Sequence, residues 1–217
     1  MDKNIKKTAL IIVAHPDDET LWCGGTILDH PTIGWYIISL CRGKDPERAS
    51  KFFKALKLLN AKGKMGNLND DPEQQSLDDA EVERAILDLL PTKYFDLIIS
   101  HSPKGEYTRH IRHEEIGKAV IKLWNSNRIA TSEYWAFAYE DGDKQYLPRP
   151  DENASINTIL KKNIWQKKYE IVTETYGFEI NGWEAKTTPK TEAFWQFTKP
   201  SDALKWLGGL REKSGSR

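Results

Sequence analysis

The chain is predicted to fold as a Rossmann-like three-layer α/β domain, with a largely parallel sheet and helices on both faces. Three features lead there. Apolar, β-rich runs at Ala9–Val13, Gly34–Leu40 and Phe95–Ser100 have the pattern of strands buried on both sides. Stretches with helical spacing separate them, so strand and helix alternate along the chain. Two of the runs end in polar, histidine-bearing clusters, as expected of strand ends that open onto a ligand crevice.

Taken in order, Ala9–Val13 is the first strand and Ala14-His15-Pro16-Asp17-Asp18-Glu19 follows it. Asp18 is expected to cap a helix from about Glu19 to Leu28, accepting from first-turn amides. Gly24-Gly25 weakens that helix and implies close approach to another backbone. The second strand, Gly34–Leu40, leads through the loop Cys41–Pro46 into a helix. Its Phe52, Phe53, Leu56 and Leu59 are spaced for one buried face. Lys62 to Pro72, rich in Gly, Asn and Asp, reads as a loop around at most a short strand. Asp78 or Asp79 caps the next helix, which carries Val82, Ile86, Leu87 and Leu90 at helical spacing and stops at Pro91.

The third strand, Phe95–Ser100, runs into the loop His101-Ser102-Pro103-Lys104-Gly105 and a helix from about His113 to Trp124. Ile116, Ala119, Val120 and Leu123 face inward there. Tyr134–Tyr139 is a further strand. A helix from Ile156 to Ile171 is expected to present Lys161, Lys162, Lys167 and Lys168 to solvent. Trp165, Trp183, Trp195 and Trp206 crowd the C-terminal third. They read as core packing, as an interface in a homo-oligomer, or as platforms for sugar rings. The tail from Lys213 to Arg217 is expected to fray.

At 217 residues, one domain spanning the whole chain is expected. Lys+Arg and Asp+Glu are both 32, so no charge excess advertises nucleic acid or an anionic membrane as partner. Cys23 and Cys41 fit neither a redox nor a zinc-ribbon spacing and read as buried free thiols. The run from Thr8 to Ala14 is too short for a membrane span and lacks a signal-peptide cleavage pattern, so a soluble cytoplasmic protein is expected. No G-x-G-x-x-G follows the first strand and no Walker A sequence occurs, which argues against nucleotide binding.

The chemistry concentrates at two strand ends. His15 sits with three carboxylates after the first strand, a group that either binds a cation or strongly shifts its own pKa values. Three of the five histidines, His101, His110 and His113, lie in the loop after the Phe95 strand or at the start of its helix. In a doubly wound sheet two such loops can converge above neighbouring strands. They could offer His15, Asp18 and one or two further imidazoles to one cation, the ligand set of a catalytic zinc site. Asp17, beside the ligands, could then take a proton from water. Each residue alone has an ordinary reading, as a loop hydrogen bond, a solvated helix start or an exposed basic turn. A receiver-like signalling domain also carries an acidic pair after its first strand. Here, however, the third strand ends in Ser100-His101, without a phosphoacceptor aspartate, and magnesium sites rarely recruit histidine. A relative that binds metal without turnover is the other alternative.

Ala14-His-Pro-Asp-Asp-Glu19 resembles the signature of the PIG-L/LmbE-like family of zinc-dependent N-deacetylases. Gly105-Glu-Tyr-Thr-Arg-His-Ile-Arg-His113 is similar to that family's second motif, and the resemblance spans about Thr8 to Val120. Thr108-Arg109 lengthens the usual interval between Tyr107 and His110 by one residue, and Ile111-Arg112 replaces a frequent Pro-Asp. The resemblance implies one zinc per chain, held by His15, Asp18 and His113. It implies Asp17 as general base, and His110 as the imidazole that steadies the oxyanion or protonates the leaving amine. The implied substrate is a small N-acetylated amino sugar or its conjugate. Tyr107 resembles a tyrosine that polarises the amide carbonyl. Arg48 and Lys104, with Arg42, lie on or just after the site loops and could meet an anionic or polyhydroxylated ligand.

Overall fold

The computed structural model describes residues 6–73 and 75–214, with side chains at the C-terminal end described through residue 210. Strands β1 (Thr8–Val13), β2 (Gly34–Ser39), β3 (Lys62–Met65), β4 (Tyr94–Ser100) and β5 (Ala130–Phe137) run parallel. With β8 (Ile156–Ile159) and β9 (Thr191–Phe197) they form a seven-stranded sheet in the order β3-β2-β1-β4-β5-β9-β8, the last two joining antiparallel. β6 (Tyr139–Glu140) and β7 (Arg149–Pro150) make a separate two-stranded pair. The expected α/β architecture is therefore present, with its parallel core closed on one side by an antiparallel pair.

Pleating explains why β1 reads as an unbroken apolar run. Leu10 and Ile12 enter one core, against α3 (Asp79–Leu89), α4 (Ile111–Asn125) and α7 (Pro200–Ser214). Ala9, Ile11 and Val13 enter the other, against α1 (Asp18–Asp29), α2 (Pro46–Leu58) and the helical turn Ile171–Thr175. A central strand covered on both faces needs apolar residues at every position.

The N-terminal elements follow the expected order. α2 opens on Pro46, capped by Asp45, whose carboxylate accepts from the amides of Glu47 and Arg48. Phe52 and Leu56 are buried, but Phe53 lies half exposed on the opposite side. Asp78, rather than Asp79, caps α3. α4 begins two residues earlier than expected, and β5 begins at Ala130 and ends before Ala138.

Other expectations need larger correction. Asp18 is not a helix cap. It is the first residue of α1, and the preceding Asp17 occupies the cap position with φ 140° and no side-chain cap bond. The Asp17 carbonyl accepts instead from the amides of Thr20 and Leu21 at 2.9 and 2.8 Å. Next, Ile156–Ile171 is not one helix. Its first four residues form edge strand β8, and α5 runs only over Lys162–Glu170. Finally, Lys168 is fully buried rather than solvated. Its Nζ lies 2.7 Å from Glu192 Oε1 on β9. Of the tail, Lys213 and Ser214 belong to α7, while 215–217 lie outside the described residues.

Glu192 also explains the paired glycines. α1 kinks at Cys23 (φ −143°), and the amides of Gly25 and Thr26 just beyond donate to the Glu192 carboxylate at 2.7 and 2.6 Å. A Cβ at Gly25 would stand 2.4 Å from Leu160 Cδ1, so the close approach is made by side chains rather than by another backbone. Glu192 thus serves one lysine, two amides and the Thr26 hydroxyl at once. Removing one member of a buried ion pair costs about 3–5 kcal/mol. Lys168→Met is expected to destabilise the chain by that amount in urea unfolding. A loss within experimental error would show that Glu192 is satisfied without the ammonium.

Candidate active site

Strand order reverses between β1 and β4: the chain leaves β1 toward β2 on one side, and β4 pairs on the other. Open α/β sheets bind ligands at that reversal, beyond the carboxyl ends of the strands. His15 to Asp18 leave β1 there, and the loop from His101 to His113 leaves β4 beside them.

The Asp18 carboxylate ties the two loops together. Its Oδ2 accepts from the His15 amide at 2.8 Å and lies 3.2 Å from His15 Nδ1 and 3.4 Å from His113 Nε2. His113 Nε2 lies 3.4 Å from His15 Nδ1, which closes a nearly equilateral triangle. Donors at 2.0–2.1 Å from a tetrahedral zinc stand about 3.3–3.4 Å from one another. The donor types and spacing fit such an ion.

Each imidazole is turned by a carboxylate on its far nitrogen. His113 Nδ1 donates to Glu106 Oε2 at 2.6 Å, which leaves Nε2 facing the triangle. His15 Nε2 lies 3.1 Å from Asp70 Oδ2, and Arg42 donates to the same oxygen at 2.9 Å. Such outer partners fix the tautomer and raise the basicity of a metal-binding imidazole. Trp22 Nε1 performs the matching task for Asp18, donating to Oδ1 at 3.1 Å.

His101 stands behind the triangle. Its Nε2 accepts from the Ala14 amide at 3.0 Å and its Nδ1 donates to Glu106 at 2.9 Å. Its ring stacks on His113 with centroids 3.8 Å apart, and its Nε2 also lies 3.5 Å from Asp18 Oδ2, so Asp18, His101 and His113 form a second cluster of possible donors. Glu19, the third carboxylate of the first cluster, turns into the core and accepts from Thr20 Oγ1 at 2.6 Å and Tyr176 Oη at 2.7 Å.

Burial and neighbours set the charges. Burial alone would raise the Asp18 carboxyl, but His113 and His101 carry it well below the ordinary carboxylate range. Burial likewise opposes a charged Glu106, yet His101 and His113 hold it down to about 2. Asp17 behaves oppositely: burial, reinforced by the Asp18 charge, pushes it well above the usual range. Burial and then His113 and His15 lower His110 to about 3, so its ring is neutral.

The triangle opens into a cavity of about 260 Å³. Asp17, His110, Tyr107, Trp22 and Trp183 line it, with Arg48 and Glu184 also in its wall. His110 stacks on His113 at 4.3 Å and meets His15 edge-on at 4.7 Å. Arg48 Nη1 stands 3.9 Å from Asp17 Oδ2. Lys104 does not reach this cavity. The turn from Ser102 to Gly105, closed by a 2.9 Å backbone hydrogen bond, leaves Lys104 exposed.

Asp70, Glu106 and Trp183 were not assigned to the site from sequence. Asp70 lies in the loop beyond β3, another parallel strand whose carboxyl end faces the crevice. Glu106 stands inside the second motif, between Gly105 and Tyr107.

The sheet and the two converging loops define an α/β protein of the LmbE-like deacetylase fold. More narrowly, the chain belongs to the PIG-L family: residues 10–124, more than half of its length, match that family's profile, described as GlcNAc-PI de-N-acetylase. An uncharacterized protein of Acanthamoeba polyphaga mimivirus is 23% identical over 192 residues, covering 80% of this chain and 77% of that protein. The solved N,N'-diacetylchitobiose deacetylase from Pyrococcus horikoshii superposes with a TM-score of 0.69 at 15% identity, over 92% of this chain and 85% of that one. GalB, a 4-carboxy-2-hydroxymuconate hydratase from Pseudomonas putida, does so with 0.61 at 15% identity, over 89% and 97%. At these identities the two structures share the fold.

Glu106→Gln keeps the size of the side chain but removes the charge that receives two imidazole protons. Loss of such a partner typically weakens metal binding 10- to 100-fold. Competition with a chromophoric chelator should show that loss for zinc. Unchanged affinity would remove Glu106 from the support of His113.

Proposed function

We propose that the protein is a zinc-dependent amidohydrolase that removes an N-acyl group, acetyl foremost, from an amino sugar or its conjugate. One observation carries the reading. Three donor atoms, from His15, Asp18 and His113, meet at 3.2–3.4 Å beside a carboxylate, Asp17, that lies outside the donor set but lines the same cavity. The family's description as a de-N-acetylase supports the acyl group and the sugar.

His15, Asp18 and His113 would hold the single zinc. Bound there, it would supply Lewis acidity and bring the deprotonation of water within reach of neutral pH. Asp17 performs the proton transfers. It takes the proton of the attacking water and passes it to the amine nitrogen as the C–N bond breaks, since an unprotonated amine leaves poorly. His110 donates a hydrogen bond to the oxygen that gains charge, and Tyr107, also in the cavity wall, is assigned to the amide carbonyl. Arg48 meets the polar part of the substrate. Lys104 has no part in this reading.

Cys23 and Cys41 are both buried free thiols, which suits a reducing, cytoplasmic setting. Among the described residues no helix is long and apolar enough to cross a membrane.

Adjacent aspartates then have separable tasks. Asp18→Asn and His113→Ala should lose most of the zinc, with activity falling alongside it. Asp17→Asn should keep zinc and lose about 10²–10⁴-fold in deacetylation rate, the usual weight of one acid–base group. Metal content and acetate release, measured side by side, decide the matter. Zinc retained in His113→Ala overturns the ligand set, and full activity in Asp17→Asn removes Asp17 from the chemistry. Stoichiometric zinc with no turnover of any N-acetyl amino sugar would favour a binding-only relative.

A further inference from the structure

The four tryptophans of the C-terminal third have separate fates. Trp165 packs on Tyr169 at 5.1 Å, and Trp195 and Trp206 pack together at 6.2 Å. Trp183 instead lines the catalytic cavity. Its ring meets Tyr107 at 5.0 Å and Trp22 at 6.5 Å, and Trp22 and Tyr107 lie 6.3 Å apart. Trp22 is wholly buried, whereas Trp183 keeps 37% of its surface exposed. Of these two indoles, Trp183 has the surface left to offer a ligand.

The indole is also held in place. Trp183 opens α6 (Trp183–Thr187), and Ala185 and Thr187 behind it are buried. The Gly182 amide donates to the Glu179 carbonyl at 2.8 Å, and a Cβ at position 182 would stand 2.9 Å from that oxygen. Glycine lets this turn close and so fixes where α6 begins. A wall that is already formed avoids the cost of ordering on binding.

We propose that Trp183 is the platform on which the sugar ring of the substrate stacks, and that it selects N-acetyl groups borne on a pyranose over those on acyclic amines. This rests on the deacetylase reading above. A pyranose offers an apolar C–H face with hydroxyls around its rim. The wall offers the complement: an indole together with two charged residues of the same lining, Glu184 and Arg48. An acyclic N-acetyl amine has the acetamide but no such face. The platform lies outside residues 10–124, where the family profile matches, so the donor set and the ring that chooses the substrate come from different parts of the chain.

The test compares methyl N-acetylglucosaminide with N-acetylethanolamine on the zinc-loaded wild type, Trp183→Ala and Trp183→Phe. Trp183→Ala should raise KM for the glucosaminide about tenfold with kcat little changed, and Trp183→Phe should recover most of the loss. KM for N-acetylethanolamine should be the same in all three. An unchanged KM for the sugar, or equal changes for both substrates, overturns the platform while leaving the deacetylase reading intact. If the wild type hydrolyses neither compound, tryptophan fluorescence decides the platform alone. The glucosaminide must then quench the wild type and not Trp183→Ala, and absence of that difference overturns it.

Discussion

The Asp18 carboxylate is the constraint around which the crevice is arranged. One oxygen receives the His15 amide and faces the rings of His15 and His113, and the other receives the Trp22 indole N–H. A buried carboxylate without donors would cost several kcal/mol, so the loops from β1 and β4 must converge for it to stay charged. The same convergence brings donor atoms of His15, Asp18 and His113 to 3.2–3.4 Å from one another. Glu106 extends the arrangement one layer outward by accepting hydrogen bonds from Nδ1 of both His101 and His113. Hydrogen bonds therefore run from Asp18 through the His113 imidazole to Glu106, and each member satisfies a buried polar group of the next.

The parallel half of the fold was legible because its strands are buried on both faces, and a doubly covered strand shows as an unbroken apolar run. β1, β2 and β4 carry that mark, and the motif residues fall at the ends of two of them. β8 carries no such mark. It is a four-residue edge strand with only one neighbour, and Ile159 is 81% exposed, so Ile156-Asn-Thr-Ile reads equally well as the start of a helix. Lys168 misled because four lysines in one stretch look like a solvated face, and only the partner Glu192, far along the chain, shows otherwise. Asp18 misled for a related reason. An aspartate at a helix start is ordinarily a cap, but here its oxygens are taken by His15 and Trp22. Asp70 and Glu106 were hidden among many loop carboxylates, since nothing local separates a carboxylate that steadies an imidazole from one that is merely hydrated.

Fold alone leaves the reaction open. A deacetylase and a hydratase both superpose on this chain, so the sheet supplies a crevice rather than a chemistry. What narrows the reaction is the pairing of a three-donor triangle with a separate carboxylate and a neutral imidazole in one small cavity. That set suits water attacking a polarised carbonyl, followed by loss of a poor leaving group.

The C-terminal third is then more than a cover for the sheet edge. Asp17 sits at φ 140°, a backbone conformation that costs on the order of 1–3 kcal/mol for a residue with a Cβ and persists only where its surroundings hold it. Its amide donates to Glu19 Oε2 at 3.1 Å, and the other Glu19 oxygen receives the Tyr176 hydroxyl at 2.7 Å. Tyr139 Oη donates to the Trp22 carbonyl at 2.8 Å, just before the kink at Cys23, and Glu192 gathers the Gly25 and Thr26 amides just after it. The later segments thus grip α1 on both sides of its kink and reach Asp17 from behind through Glu19. The donor triangle comes entirely from the matched segment, but the strained backbone that carries the Asp17 carboxylate is held in place by residues beyond it.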